Sequence, residues 1–404
     1  MAGTAVEALD LPLFDYLDPQ LRGEKLHRVV RDLRARGWLA RAPIGYVVLD
    51  REAAEFFLRA REAVFPGLKI AELFGVPEGP LLEQIRRNIL NLTGDSHRRL
   101  RNLVNPFFTP RAADRRRPLM RELLAALWAE LSAAKRCEAV GALCEPYPAQ
   151  AIARVVGAPL TDAPLLERWS GLIQQQFDGP ALLARRDEIE RACAEFYEYC
   201  AALIAERRAR PRDDLVSELV RAEQEGDRLS DVECMNLVLN VLVGGVETTQ
   251  AQLAHALRLF ATHPEQWQLL AERPELAGRA VEEVLRFEPV TPFTARLLER
   301  DIEFRGVRFP AGTVVMVCQL AANRDGVPGD PERFDIARPP GGPRTLAFGA
   351  GIHYCLGANL ARVELEEALA FLAPRMPDLA LDGEVVLGTV HGVYGVEQLP
   401  LRWR

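Results

Sequence analysis

The chain has 404 residues, with 50 Lys and Arg against 57 Asp and Glu and a formal net charge of −7. Hydrophobic residues make up 49% and charged residues 26%, which is typical of a soluble globular protein. The negative balance argues against a nucleic-acid-binding surface, because such surfaces need an excess of basic residues.

Targeting and membrane signals are missing from the sequence pattern. The first thirty residues lack a basic start followed by an apolar core, and the longest apolar run, "MNLVLNVLVGGV", is too short to span a bilayer. Seven scattered cysteines form no CxxC pair, which argues against a zinc or iron–sulfur site. We therefore expect a soluble protein without a membrane anchor, with free thiols, in a reducing cytoplasm.

Helical patterns dominate the first two thirds of the chain. Apolar residues recur at three- and four-residue spacing in "EKLHRVVRDLRARGW", "RRPLMRELLAALWAELSAA" and "RDEIERACAEFYEYCAALIAERRAR". A longer helical pattern runs from "SDVECMNLVL" to "LRLFATH", and Ser230 before an acidic first turn predicts its start.

Short strand patterns occur near the start of the chain and in its last third. "GYVVLD" near the start predicts a strand, and "IEFRGVRFPAGTVVMVCQL" predicts a hairpin that turns at Pro310-Ala311-Gly312. Pro and Gly collect between Gly326 and Gly351 and predict an irregular loop. With neither repeats nor a linker, the sequence predicts one domain over residues 1–404, mainly α with a minor β part.

Cys355 lies in "AFGAGIHYCLGANLAR", among three glycines and just before an apolar helical segment. A thiolate needs positive potential to persist at neutral pH, and the N-terminus of a following helix supplies it. Glycines permit close backbone approach around the sulfur. These features suit a thiolate bound to a flat metal cofactor, although an isolated cysteine is more often buried and inert.

The wider stretch "FGAGIHYCLG" resembles the cytochrome P450 signature. Every fixed position of that signature is matched, at Phe348, Gly349, Gly351, Cys355 and Gly357. The resemblance implies that Cys355 is the proximal ligand of haem b. It also implies that Phe348 lies against the haem on the thiolate side and that His353 lies near a haem propionate.

"EEVLR" places Glu283 and Arg286 three residues apart, on one face of a helix. Alone, this spacing indicates a surface ion pair worth well under about 1 kcal/mol. It also resembles the Glu-x-x-Arg element of the P450 family. That resemblance implies a buried structural network completed by Arg338, which fixes the loop carrying the cysteine.

"VGGVETTQ" puts Gly244 and Gly245 in a helix interior, where each glycine costs about 1 kcal/mol relative to alanine. Close helix packing is one explanation, and a slot for dioxygen is the other. The hydroxyl of Thr248 can bond back to a carbonyl one turn earlier and bend the helix. The pattern is similar to the P450 oxygen-binding element, which implies that Glu247 and Thr248 deliver protons to the bound oxygen.

"SHRRLRNLVNPFFTPR" places His97 and Arg101 four residues apart, on one helical face. Such a basic run is usually a solvated patch. In the P450 pattern these two residues bind a haem propionate, and Arg296 in "TARLLERDIEF" resembles the arginine that binds the propionates from a following strand. A guanidinium group suits a carboxylate because it donates two parallel hydrogen bonds.

These resemblances imply a cytochrome P450 fold, with haem between the long oxygen-binding helix and the helix after the cysteine loop. The implied activity is a monooxygenase that inserts one atom of O2 into a hydrophobic small molecule by hydroxylation or epoxidation. Two electrons would come from NAD(P)H through a separate ferredoxin and ferredoxin reductase, since this chain contains no flavin or iron–sulfur segment. We expect a monomer. Arg98, Arg99 and "RAADRRRP" offer a basic face for an acidic ferredoxin, or are simply solvated.

Three alternatives remain open at this point: a peroxide-driven enzyme, an isomerase or dehydratase of the same fold, and a haem-thiolate sensor without turnover. The Glu247-Thr248 pair argues against the first and the last. Approximate placement gives Asn240, Val243, Thr291 and Val393 as substrate-pocket residues. The apolar stretch "LKIAELFGVPEGPLLEQI" suggests a steroid, terpenoid, fatty acid or aromatic substrate, with Asn240 as an anchor for one polar group.

Overall fold

A computed structural model describes residues 3–224 and 229–404. The chain falls into two compact units. The first unit comprises Met1–Pro66, Glu282–Cys355 and Leu387–Gly395, and the second comprises Gly67–Val281, Leu356–Val386 and Val396–Arg404. The prediction of a single domain stays a prediction.

Most of the described chain is helical, as predicted. The helices are α1 (Gly23–Arg36), α2 (Arg51–Arg59), α3 (Gly67–Leu73), α4 (Pro80–Arg87), α5 (Gly94–Val104), α6 (Pro110–Asp114), α7 (Arg117–Leu131), α8 (Pro146–Val156), α9 (Ala163–Gln174), α10 (Gly179–Ala209), α11 (Leu215–Gln224), α12 (Asp231–Gly245), α13 (Glu247–Thr262), α14 (Pro264–Glu272), α15 (Ala277–Phe287), α16 (Gln319–Ala322) and α17 (Ala358–Leu372).

The strands are short. They are β1 (Thr4–Ala5), β2 (Leu39–Ala42), β3 (Gly45–Val48), β4 (Ala63–Val64), β5 (Arg136–Glu138), β6 (Phe293–Leu298), β7 (Ile302–Phe304), β8 (Val307–Phe309), β9 (Val314–Cys318), β10 (Ala380–Leu381), β11 (Val386–Leu387), β12 (Val396–Gln398) and β13 (Pro400–Arg402).

Three helices predicted from periodicity are confirmed as α1, α7 and α10. The start of α12 at Ser230 is also confirmed. The Ser230 hydroxyl accepts a hydrogen bond from the backbone N–H of Glu233, and the Glu233 carboxylate accepts one from the N–H of Ser230. This reciprocal capping box satisfies N–H groups that have no partner inside the helix.

The first unit is built on a sheet with the strand order β2-β3-β9-β6-β4. Strand β9, "VVMVC", lies in its middle, parallel to β3 and antiparallel to β6. Val315 and Val317 pack on one face with Phe57 of α2, and Met316 and Cys318 pack on the other with residues of α1. Both faces of β9 are buried, and this explains why its sequence is a continuous apolar run.

The predicted hairpin turn was wrong. β8 pairs with β7, and the two-residue turn between them is Arg305-Gly306, both at positive φ (50° and 70°). Two left-handed residues match the twist of a tight hairpin, and Gly adopts that conformation without strain. Pro310-Ala311-Gly312 instead leads from β8 to β9, which belongs to the other sheet.

The second unit is a helical assembly with α8 at its centre. Nearly every side chain of α8 is buried, and the helix packs against α7, α9 and α12. Gly157 ends it with a left-handed φ of 96°. Within the described parts of the chain, no helix combines the length and the apolar character required to span a bilayer.

A buried ion pair joins three helices of the second unit just beyond Gly157. Arg207 of α10, 1% exposed, donates from Nε to Asp214 Oδ2 at 2.6 Å and also donates to the carbonyl of Gly157. The other oxygen of Asp214 accepts the N–H of Ser217 at 2.8 Å and so caps α11. A Cβ at position 157 would overlap the Asp214 carboxylate.

We therefore predict that Gly157→Ala lowers the free energy of unfolding by at least about 3 kcal/mol, because it adds left-handed strain and displaces a buried ion pair. Gly75→Ala is the matched control. Gly75 is also left-handed, with φ 61°, but its added Cβ would meet no described atom within 4 Å. Its cost should be about 1–2 kcal/mol, the strain alone. Urea unfolding measures both, and equal losses would contradict the role of the ion pair.

Candidate functional site

The loop before Cys355 is shaped by left-handed glycines. Gly349 and Gly351 have φ of 68° and 74°, and a Cβ at Gly351 would lie 2.6 Å from the carbonyl oxygen of Leu58. The N–H of Cys355 donates to the carbonyl of Phe348 at 2.9 Å, which closes the loop on itself. Residues with larger side chains are excluded here, so the glycines are required by the backbone path.

Cys355 differs from most other cysteines of the chain in its surroundings. Its side chain is half-buried, as is that of Cys137, whereas the remaining five are buried. Burial raises the pKa of the Cys318 and Cys234 thiols to about 12 and that of Cys137 to about 11, which keeps them protonated and inert. Helix α17 begins at Ala358, three residues after Cys355.

Glu283 lies between two arginines in the first unit and is 5% exposed. Arg286 donates to both of its oxygens at 2.8 Å, and Arg338 donates to both at 3.1 and 3.3 Å. The N–H of Asp335 adds a further bond at 2.9 Å. The structure thus brings together the three residues that the sequence resemblance assigned to one network.

The same arginines hold the loop that precedes the cysteine segment. Arg286 donates to the carbonyls of Pro331 and Arg333, at 2.8 and 3.0 Å. Arg338 donates to the carbonyls of Pro328 and Asp330, at 2.7 and 2.9 Å. A loop that lacks regular secondary structure therefore has its backbone carbonyls satisfied by two guanidinium groups, which a single carboxylate orients.

Arg296, on β6 of the first unit, is a buried cation without a carboxylate partner in residues 3–224 and 229–404. It is 4% exposed, Nη1 donates to the carbonyl of Ala295 at 2.9 Å, and Nε has no partner within that part of the chain. Burial lowers its pKa to about 10. A buried guanidinium with donors to spare fits an anionic group such as a propionate.

In the second unit, His97 and Arg101 lie on α5 as predicted. His97 is 4% exposed, and burial, together with the positive charge of Arg101, lowers the pKa of its imidazole. A neutral imidazole next to a guanidinium provides one neutral and one charged donor on the same helix face. Both are suited to a carboxylate ligand.

The long helix predicted around the double glycine is two helices, α12 and α13, separated at Val246 (φ −87°, ψ −74°). Thr248 lies beside this departure, and its hydroxyl donates to the carbonyl of Gly244, one turn earlier, at 2.6 Å. A Cβ at Gly245 would overlap Ile152 of α8, so this glycine serves close helix packing. At Gly244 an added Cβ would meet no described atom within 4 Å, which leaves an open face.

The Glu247 side chain points toward α9. Its Oε1 lies so near Gly171 that a Cβ added to that glycine would be only 2.9 Å away. Burial, together with the negative charges of Glu167 and Glu145, raises the pKa of Glu247 to about 7. A carboxyl group with this pKa exchanges a proton readily near neutral pH. Glu167 and Glu145 were missed by the sequence analysis, because nothing in their local pattern points to a residue eighty or more positions away.

The four predicted pocket residues have unequal surroundings. The Oδ1 atom of Asn240 accepts a hydrogen bond from the N–H of Ile89 at 2.9 Å, so the oxygen of this amide already has a protein partner. Val243 is 4% exposed, whereas Thr291 and Val393 of the first unit are half-buried. Their role in substrate binding stays a prediction.

Comparison with known proteins agrees with this description. Residues 180–372 match the family described as Cytochrome P450. Luteothin monooxygenase of Streptomyces thioluteus is 38% identical over 399 residues, covering 98% of this chain and 96% of the relative. Mycinamicin IV hydroxylase/epoxidase of Micromonospora griseorubida is 36% identical over 325 residues, covering 80% of this chain and 77% of the relative.

A solved structure is similar over the same extent. The crystal structure of CalO2 superposes with a TM-score of 0.91 and 30% identity, covering 98% of this chain and 99% of that one. These matches define the class of protein as a haem-dependent oxidoreductase. The chain belongs to the cytochrome P450 family, and its function is that of a haem-thiolate monooxygenase.

Membership implies a haem, O2 as co-substrate, electrons from a redox partner and a small-molecule substrate. The half-buried Cys355 in its glycine loop and the uncompensated Arg296 fit such a cofactor. The relatives are named as monooxygenases, hydroxylases and epoxidases, so the peroxygenase, isomerase and sensor alternatives are not favoured.

We predict that Glu283→Ala lowers the free energy of unfolding by about 3–5 kcal/mol, because it leaves two buried guanidinium groups without an anion. The loop between Pro328 and Arg338 should also lose amide-exchange protection. Glu299→Ala, which removes an exposed carboxylate from the same unit, serves as the control and should change stability by less than about 0.5 kcal/mol. A loss below about 1 kcal/mol for Glu283→Ala would contradict the network's structural role.

Proposed function

We propose that the chain binds haem b through the thiolate of Cys355 and uses it to oxidise a hydrophobic small molecule. The observation that carries this proposal is the half-buried Cys355 in a loop of left-handed glycines, within a chain 38% identical to a named monooxygenase. When bound, a thiolate-ligated haem supplies the activation of dioxygen, and the protein supplies the ligand, the protons and the positioning.

The donors for the haem propionates would be Arg296, His97 and Arg101, with His353 as a further candidate. Arg296 is best supported, because an anion would relieve a buried charge that has no carboxylate partner among the described residues. Phe348 would cover the thiolate side, since its carbonyl is already bonded to the N–H of Cys355.

Gly244 and Gly245 would border the oxygen site, and Glu247 and Thr248 would be the catalytic proton donors. The Thr248 hydroxyl gives its own hydrogen to the Gly244 carbonyl, so its oxygen is free to accept one. Glu247, with a pKa of about 7, holds a proton that it can release at neutral pH.

Electrons would come from NAD(P)H through a ferredoxin reductase and a ferredoxin. The basic face proposed for ferredoxin is smaller than the sequence suggested. Arg99 pairs with Glu233, and Arg117 pairs with Asp114, Glu366 and Glu367. Arg116 is half-buried and donates to two backbone carbonyls. Arg98 pairs with Asp95 at 3.1 Å. Arg111 and Arg115 are exposed, and they are the residues that we assign to partner docking.

The substrate class is taken from the relatives. Luteothin and mycinamicin IV, named for the related enzymes, are the first compounds to test, together with steroids, terpenoids, fatty acids and aromatics. Asn240, Val243, Thr291 and Val393 remain the proposed pocket residues. The seven cysteines form no disulfide within residues 3–224 and 229–404, which supports a reducing cytoplasmic location. We also propose a monomer.

The test of the proposed cofactor is the ferrous–CO spectrum of the purified protein. The wild-type protein should show the thiolate-type Soret band, and Cys355→Ser should abolish it while haem remains detectable. Cys318→Ser is the control, because that thiol is buried on the sheet of the first unit, and its spectrum should match wild type. A thiolate-type band that persists in Cys355→Ser would overturn the assignment.

A second prediction concerns pH. Glu247 donates a proton only in its protonated form, so product formation per NADPH should fall as pH rises through about 7. Glu247→Gln should remove this limb of the profile. Glu167→Gln removes a neighbouring negative charge, lowers the pKa of Glu247 and should move the limb to lower pH. An unchanged limb in Glu247→Gln would exclude Glu247 as the titrating group.

A further inference from the structure

Leu346 of the first unit lies in the irregular segment that leads to the cysteine loop, and side chains bond to both of its backbone polar groups. Its N–H donates to Oδ1 of Asn323 at 2.7 Å, and its carbonyl accepts a hydrogen bond from Nε2 of Gln319 at 3.3 Å. Leu346 is 4% exposed, and the two amide side chains are each 2% exposed. A buried peptide group outside a helix or sheet needs such partners, and two side-chain amides supply them here.

The short helix α16 presents both amides. Gln319 and Asn323 are four residues apart, and the N–H of Asn323 donates to the carbonyl of Gln319 at 2.9 Å, so their side chains lie on one helical face. The N–H of Gln319 donates to the carbonyl of Pro292 at 2.9 Å, which ties α16 to the residues before β6. We call Gln319 and Asn323, with the peptide groups of Leu346 between them, the Leu346 clamp.

Thr294 orients the clamp from strand β6. Its hydroxyl donates to Oε1 of Gln319 at 2.9 Å, so the nitrogen end of that amide faces the carbonyl of Leu346. Thr294 is half-buried and precedes Arg296 by two residues, which places both side chains on the same face of the strand. The clamp therefore joins the segment before Cys355 to the strand face that carries Arg296.

The carbonyl of Leu346 transmits this constraint along the chain. It also accepts the N–H of Gly349 at 2.8 Å, and Gly349 is the first left-handed glycine of the cysteine loop. The next carbonyl back along the chain, that of Phe348, accepts the N–H of Cys355. A rotation of the Leu346 carbonyl would break its bond to Gly349 and displace the start of the loop. Hydrogen bonds thus run from β6 through α16 to the cysteine, all within the first unit.

The clamp is separate from the network around Glu283. The arginines of that network bond to carbonyls between Pro328 and Arg333, well before Leu346 in the chain. The side chains of the clamp are neutral, so removing one of them leaves no unpaired buried charge. The two networks can therefore be perturbed independently.

We propose that Gln319 and Asn323 are positioning residues, which set where the cysteine loop lies relative to β6. In this way they set the spacing between two groups that hold one haem, the thiolate of Cys355 and the guanidinium of Arg296. The clamp itself rests only on contacts within the first unit. Its effect on haem ligation rests on the proposed function.

Amide hydrogen exchange on the full-length protein tests the clamp. Thr294→Val removes the hydroxyl and keeps the branched shape of the side chain. The Gln319 amide should then no longer be held on the Leu346 carbonyl, and the amide of Gly349 should exchange about fivefold faster, the effect of losing one net hydrogen bond. Thr294→Ser keeps the hydroxyl and should exchange at the wild-type rate.

Thr313→Val is the matched control. Thr313 is also half-buried in the first unit, but it lies before β9, and its hydroxyl donates to the carbonyl of Pro310 at 2.7 Å. This variant should leave exchange at Gly349 unchanged. An unchanged rate at Gly349 in Thr294→Val would overturn the clamp. Equal acceleration in Thr294→Val and Thr313→Val would also overturn it, because the loosening would then be general.

Asn323→Ala tests the other half of the clamp. It leaves the buried N–H of Leu346 without its acceptor, so this amide should exchange at least about fivefold faster than in the wild-type protein. Wild-type exchange at Leu346 in this variant would overturn the assignment of Asn323. The Thr294 variants test the Gln319 half independently, and they make the smaller change to the core.

The ferrous–CO spectrum tests the effect on haem ligation. If the clamp positions Cys355, the CO complex of Thr294→Val should lose its thiolate-type Soret band about fivefold faster than the wild-type complex. Thr294→Ser and Thr313→Val should lose it at the wild-type rate. Faster exchange at Gly349 without faster loss of the band would overturn the positioning role. A wild-type protein that shows no thiolate-type band would instead overturn the proposed function and leave the exchange result standing.

Discussion

One carboxylate, that of Glu283, neutralises two guanidinium groups whose other hydrogen bonds go to the backbone of the loop before the cysteine segment. Burying three charges is costly unless each is paired and fully bonded, and here all three are. The loop has little regular structure of its own, so its carbonyls depend on Arg286 and Arg338. The network therefore fixes the backbone of residues 328–333, on the segment that leads to Cys355.

The two units handle charge in opposite ways. In the first, Arg296 is buried with no carboxylate partner in the described chain, which suits a site that receives an anion. In the second, Glu247 is surrounded by the like charges of Glu167 and Glu145. Burial and these like charges let Glu247 keep its proton to a higher pH than an exposed glutamate would. Uncompensated charge of each sign is what the proposed propionate contact of Arg296 and the proposed proton transfer at Glu247 would use.

The sequence predicted helices best where apolar periodicity was long, as in α1 and α7, and the residue pattern alone located Ser230 as a cap. It failed at the hairpin, because both Arg305-Gly306 and Pro310-Ala311-Gly312 carry turn residues and only the pairing of β7 with β8 decides between them. It also failed at Val246, where the backbone departs from helical geometry and separates α12 from α13. For the site, motifs led to Glu283, Arg338 and Thr248. The hold of Gln319 and Asn323 on Leu346 has no local pattern, since it depends on a helix and a loop meeting in space.

The pairing of the first unit has a consequence for biosynthesis. His27 bonds to Arg324, which follows it by 297 residues, and β3 pairs with β9 across a similar length of chain. At a synthesis rate of about 5–20 residues per second, the first strands wait roughly 15–60 s for their partners to leave the ribosome. Most of the second unit, Gly67–Val281, is continuous and is synthesised within that interval. β2 and β3 can pair with each other at once, but the edge of β3 that pairs with β9 stays open through most of the synthesis, and this edge is what a chaperone would have to shield.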